Sequence, residues 1–183
     1  MSQLLKATAF ASTSYLGFYG VWYMFHGTPS LADLNGGAGA VFFPYLPHGA
    51  KVIAAWLIGW RSVPALLPAT LLHGAYLSQF FGLTAGQVMA FALVSATVAY
   101  LAFETFRLTH LDLYPGNGTD IHWRRLLLVG VVASVYNGVG IILIGDFALS
   151  LENQVALLLN LIVADVAGLV VVLLGLWAVL KRI

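Results

Sequence analysis

The run NLIVADVAGLVVVLLGLWAVL, residues 160–180, holds one ionisable side chain, Asp165, among its twenty-one residues. A helix of that length and composition has no polar face to turn toward water, so its surroundings must be lipid or protein. Other stretches repeat the pattern. With about 20 mostly apolar residues needed to cross a bilayer, spans are expected near 5–25, 42–60, 62–83, 86–107, 124–146 and 154–180. Charged residues are 8% of the 183, against about a quarter in water-soluble domains. Too few charges remain to cover a wet surface. The expectation is one all-α integral membrane domain, 1–183, a polytopic bundle of six transmembrane helices with lipid as its main neighbour.

The breaks between spans carry turn chemistry. HGTPSLADLNGGAGA (26–40) is rich in glycine, RSVP (61–64) and FGLTAGQ (81–87) are short, and THLDLYPGNGTDIHW (109–123) combines Pro, Gly and Asn. The opening MSQLLKATAFASTSYLGFYGVWYMF exceeds the ~7–15 residue core of a signal peptide and ends in aromatics. It is therefore taken as the first span. Lys6, Arg61, Arg107, Arg124, Arg125, Lys181 and Arg182 fall on one side of a six-span arrangement, and Asp33, Asp146 and Glu152 on the other. Positive loops face the cytoplasm, which places both termini there. Trp22, Trp60, Trp123 and Trp177 lie near span ends, as an interfacial belt requires. A net charge of +1 leaves no footprint for nucleic acid, and the absence of cysteine removes disulfides, thiolate metal sites and cysteine nucleophiles.

The second span, FFPYLPHGAKVIAAWLIGW, is irregular because it contains Pro44, Pro47 and a lysine. Proline suits the first turn of a helix and disfavours helix before itself, so this span is expected to break at Pro44/Pro47. His48, Gly49 and Lys51 then lie in the first turn of a helix whose free N–H groups and ammonium favour an anion. Counted from the cytoplasmic ends at 1.5 Å per residue, Lys51 lies about 13 Å deep, His73 about 16 Å, Asn137 about 19 Å and Asp165 about 22 Å. These four polar groups on four spans, with His48 and Gly49, form the candidate ligand site.

Each member has a plainer role as well. Lys51 and Asp165 also suit a structural ion pair, while the functional readings are an anionic ligand on Lys51 or proton relay through Asp165. His73 suits a hydrogen bond to a neighbouring helix or, alternatively, ligation of a pigment metal. Asn137 suits a cross-helix hydrogen bond. Glu104 and Arg107 form an ordinary surface pair. His110, Asp112, Asp120 and His122 share a loop without compact metal spacing, so no metal site is assigned. No nucleophile–base set is evident, so no catalytic residue is assigned, the chain is expected not to be an enzyme, and its cofactor is unknown. Small residues mark packing faces: Gly130, Ser134 and Gly138; Lys51, Ala55 and Gly59; Ala164 and Gly168.

PHGAKVIAAWLIGWRSVPALLP (47–68) places Pro47, Gly49, Gly59, Arg61 and Pro64 in a Pro-x-Gly, apolar run, Gly-x-Arg-x-x-Pro pattern. With WRRLLLVGVVASVYNGVG and the Asp165-x-x-Gly168 of the last span, about half the chain resembles the bacterial membrane-associated sensor domain of the first type. Ala164 stands where that family has glycine. The resemblance implies a multi-pass protein of the bacterial cytoplasmic (inner) membrane, sensor-like and stand-alone, whose output passes to a separate effector. Two alternatives use the same residues. One is the substrate-binding component of an energy-coupling-factor-type transporter, with loop 26–40 as lid and Ala7 and Ala11 as a docking row. The other is an accessory subunit of a larger pigment or quinone membrane complex. Expected partners are membrane lipid, a small anionic ligand, and an effector or complex subunits.

Overall fold

The computed structural model describes residues 3–27, 43–115, 123–145 and 149–181, and these are helical throughout apart from short connections. In chain order the helices are α1 (Gln3–His26), α2 (Leu46–Ile58), a 3-10 turn (Gly59–Arg61), α3 (Ser62–Phe81), α4 (Ala85–Leu108), α5 (Trp123–Gly145) and α6 (Leu151–Leu180). Loop 28–42, with Asp33 and most of the proposed lid, lies outside the described residues, as do Asp120, His122, Asp146 and Arg182.

Local chemistry sets the boundaries. Thr84 caps α4 in a reciprocal box with Gln87, whose side-chain oxygen accepts from the Thr84 amide at 2.9 Å. Gln87 also donates to the Ile144 carbonyl at 3.0 Å, joining the start of α4 to the end of α5. Ser150 caps α6 by accepting from the Asn153 amide. At the end of α3, Gly82 adopts φ +63° and its amide returns to the Ser78 carbonyl, a left-handed stop that glycine makes without strain.

The six-span expectation requires correction. Among the described residues, four helical runs are long and apolar enough to cross a membrane: Leu46–Phe81, Ala85–Leu108, Trp123–Gly145 and Leu151–Leu180. The bundle has five helical units, one of them the joined run of α2, the 3-10 turn and α3. That joined run replaces the separate second and third spans. Pro44 precedes the helix and Pro47 sits in its first turn, where a missing N–H costs nothing, so neither proline breaks a span. The discontinuity comes at Gly59, where φ is +56°. α1 has the length to cross but not the composition, since Lys6, Ser12, Thr13, Ser14 and several Tyr and Trp dilute its apolar residues. The loop alternation that placed both termini in the cytoplasm has no footing without six separate spans.

The helices close into a ring in the order α1, α3, α4, α5, α6, α2, and α2 also touches α3, α4 and α5. Small side chains allow this central position: Gly49, Ala50, Ala54 and Ala55 of α2 are buried. Val52 and Ala55 join a core with Ala99, Phe103, Val129 and Leu169. Ala50 and Ala54 join a second core with Ala11, Tyr15, Leu66 and Ala96. Large apolar residues such as Phe10, Leu72, Leu143, Leu159 and Leu174 face outward instead. That distribution suits a lipid-facing surface. Trp60, Trp123 and Trp177 are exposed beside Arg61, Arg124 and Lys181, whose charged groups lie 6.0, 5.6 and 5.1 Å from the ring centres. Trp22 departs from the proposed belt and lines an internal cavity.

Candidate functional site

Within the ring lies a cavity of about 260 Å³, to which all six helices and the segment 43–45 contribute. Lys51 of α2, His73 of α3, Asn137 of α5 and Asp165 of α6 all line it. His48 and Gly49 do not, and no other residue of the first turn of α2 does so. The backbone N–H groups of that turn therefore do not form the wall. A side chain at Gly49 would meet Val172 Cγ2 at 2.7 Å, so this glycine serves close packing of α2 on α6.

Lys51 is 1% exposed, and its ammonium donates to Ser95 Oγ at 3.3 Å. Among the described residues it makes no ion pair. Asp165 faces His48 instead, with Nδ1 and Oδ2 3.2 Å apart, while Ser134 Oγ donates to the same oxygen at 2.9 Å. The far ring nitrogen of His48, Nε2, lies 3.1 Å from the Gly130 carbonyl oxygen. A carbonyl only accepts, so Nε2 carries a proton. The Nδ1–Oδ2 approach is close but not aligned as a hydrogen bond. Asp165 is thus addressed by His48 and Ser134, and among the described residues Lys51 makes no ion pair with it.

His73 is held from one side. Its Nδ1 lies 2.7 Å from the Tyr15 hydroxyl and 3.5 Å from that of Tyr45, and the two hydroxyls are 3.2 Å apart. Tyr19 packs against the same imidazole with ring centres 4.2 Å apart. The backbone amide of Tyr45 donates to the Ala164 carbonyl at 2.8 Å, which fastens segment 43–45 to α6 one residue from Asp165. Gly168 makes that approach feasible: an added Cβ there would collide with the Tyr45 carbonyl and lie 2.8 Å from the Leu46 nitrogen.

Several wall residues are not among the site residues expected from the sequence, and Trp22 is assigned there to the interfacial belt. Tyr19, Trp22 and His26 form one stripe of α1, and their spacing of three and four residues was the available signal. Trp22 stacks on His26 with ring centres 4.2 Å apart and meets Tyr45 edge-on at 5.5 Å. The Tyr19 hydroxyl, Trp22 Nε1 and His26 Nδ1 are buried without a hydrogen-bond partner among the described residues. Ser95 and Asn160 also face the cavity, and nothing in their apolar surroundings marked them in advance.

The arrangement is an apolar, aromatic-walled chamber with a buried ammonium and unused hydrogen-bonding groups, a composition typical of small-molecule sites. Comparison of the chain with protein-family models, with curated proteins and with solved structures finds no match.

Proposed function

We propose that this protein is a non-enzymatic membrane bundle that binds a small amphipathic molecule in the cavity, with Lys51 holding its polar head. The observation that carries this reading is the Lys51 ammonium, buried at the cavity wall with only a serine hydroxyl as partner among the described residues. An isolated ionised group inside a membrane bundle costs several kcal/mol, on the order of 2.5–3.5 by insertion scales. A bound anionic or strongly polar head offsets that cost. The aromatic walls then enclose the apolar body.

A sensor-like role, with the signal passed to a separate protein, accords with the resemblance of residues 47–68 to bacterial membrane sensor domains. A substrate-binding role in transport would use the same chamber. A space-filling accessory role receives less support, because it gives no reason to keep a lone cation at a cavity wall.

Mass spectrometry of the intact protein released from mild detergent tests the proposal. The expected result is a small molecule bound at one per chain, lost in Lys51→Met while the melting behaviour is kept. A chain carrying nothing, or only bulk lipid that Lys51→Met retains, would overturn it.

A further inference from the structure

Resting on that reading, we infer that the ligand is a singly charged organic acid with a flat ring body and at least one uncharged hydrogen-bond acceptor. The charge follows from which groups Asp165 and Lys51 contact. Among the described residues, Lys51 and Asp165 are the Lys, Arg, Asp or Glu residues that line the cavity. Asp165 is already engaged, because His48 Nδ1 and Ser134 Oγ both address its Oδ2. The ammonium of Lys51 is thus left without a carboxylate contact among the described residues. One carboxylate balances it. A phosphate monoester, close to doubly charged at neutral pH, would bring a second negative charge into a low-dielectric chamber with no second Lys or Arg among the described lining residues to meet it.

The body follows from the walls. Tyr19, Trp22, His26 and Tyr45 present ring faces and edges, with Trp22 and His26 nearly parallel at 17°. Flat rings pack against such surfaces in stacked or edge-on geometry. The acceptor follows from the α1 stripe. Trp22 Nε1–H only donates, and the Tyr19 hydroxyl donates readily, yet both are buried without partners among the described residues. An unmet buried donor is costly, so a ligand oxygen in reach of this stripe gains affinity. At about 260 Å³ the chamber falls just below the ~300–1,000 Å³ of drug-sized sites, which suits one or two fused rings.

Four probes share one body: 2-naphthoate, neutral 2-naphthamide, 2-naphthyl phosphate and 6-methoxy-2-naphthoate. Their binding to the full chain in mild detergent is followed by calorimetry at neutral pH. 2-Naphthoate is expected to bind at least about tenfold more tightly than the amide or the phosphate, equivalent to ~1.4 kcal/mol. Lys51→Met should bring the acid and amide within about twofold, whereas Lys51→Arg, which keeps the charge, should retain the preference. The methoxy oxygen should add affinity that Tyr19→Phe with Trp22→Phe removes. Equal binding of acid and amide, tighter binding of the phosphate, or a methoxy gain that survives the double substitution would overturn the inference while leaving the ligand-binding reading intact. Binding of no probe, together with no co-purified molecule, would overturn both.

Discussion

Replacing Gly168 by alanine adds one methyl group at the most crowded point between α6 and the entrance to α2. The new Cβ would overlap the Tyr45 carbonyl and lie 2.8 Å from the Leu46 nitrogen, well inside the 3.4 Å at which ordinary contact begins. These are backbone atoms and cannot rotate aside. They are also held in place: the Tyr45 amide donates to the Ala164 carbonyl at 2.8 Å, and the Tyr45 carbonyl accepts from the His48 amide at 3.1 Å. Relief requires segment 43–46 to move off α6. Overpacking of this kind costs about 1–3 kcal/mol, and the strained or broken Tyr45–Ala164 bond adds ~0.5–1.5 kcal/mol. A total loss of about 2–4 kcal/mol corresponds to a fall of roughly 5–15 °C in Tm for a chain of this size. Gly175→Ala is the control, because nothing lies within 4 Å of its added Cβ. Its better helix propensity should leave stability unchanged or raised by up to ~1 kcal/mol. Scanning fluorimetry in mild detergent reads both variants. A Gly168→Ala protein melting within about 2 °C of the parent would refute the close-approach argument.

Other expectations concern the buried pair and the loop after α4. In a double-mutant cycle, His48→Phe and Asp165→Leu should couple by at least ~1 kcal/mol, and by more than Lys51→Met with Asp165→Leu, because the carboxylate contacts the imidazole. Chemical denaturation gives each corner, and a larger Lys51–Asp165 coupling would reverse the assignment. Tyr114 donates to Glu104 Oε1 at 3.0 Å and stacks on Phe103 at 4.9 Å. Burial and then this carboxylate raise its hydroxyl pKa above the ordinary tyrosine range. The folded state thus holds its proton longer than the unfolded chain, so Tyr114 stabilises fully below about pH 10 and progressively less above it. Tyr114→Phe should flatten that alkaline loss in melts run from neutral to alkaline pH, and an unchanged slope would contradict it.

Much of the helix pattern is visible in the sequence because apolar length and capping residues are one-dimensional signals. The joined run Leu46–Phe81 was hidden because RSVP resembles an ordinary turn, whereas Arg61 closes a 3-10 turn and Pro64 falls in the first turn of α3. α1 resembles a span when Tyr15, Tyr19 and Trp22 are counted with its apolar residues, although Tyr15 is fully buried and all three turn inward. Height along a helix places Lys51, His73, Asn137 and Asp165 at similar depth. It says nothing about the angle around each axis. The sequence pairs Asp165 with Lys51, yet His48, three residues earlier on α2, is the residue that meets it. Only the packing of α2 on α6 selects His48.

One turn of α6 performs three tasks at once: the Ala164 carbonyl receives the strap, Asp165 meets His48, and Gly168 clears the space. The amino end of α2 and this turn must therefore travel as a single rigid piece. Any breathing that admits a guest is left to the opposite staves of the barrel.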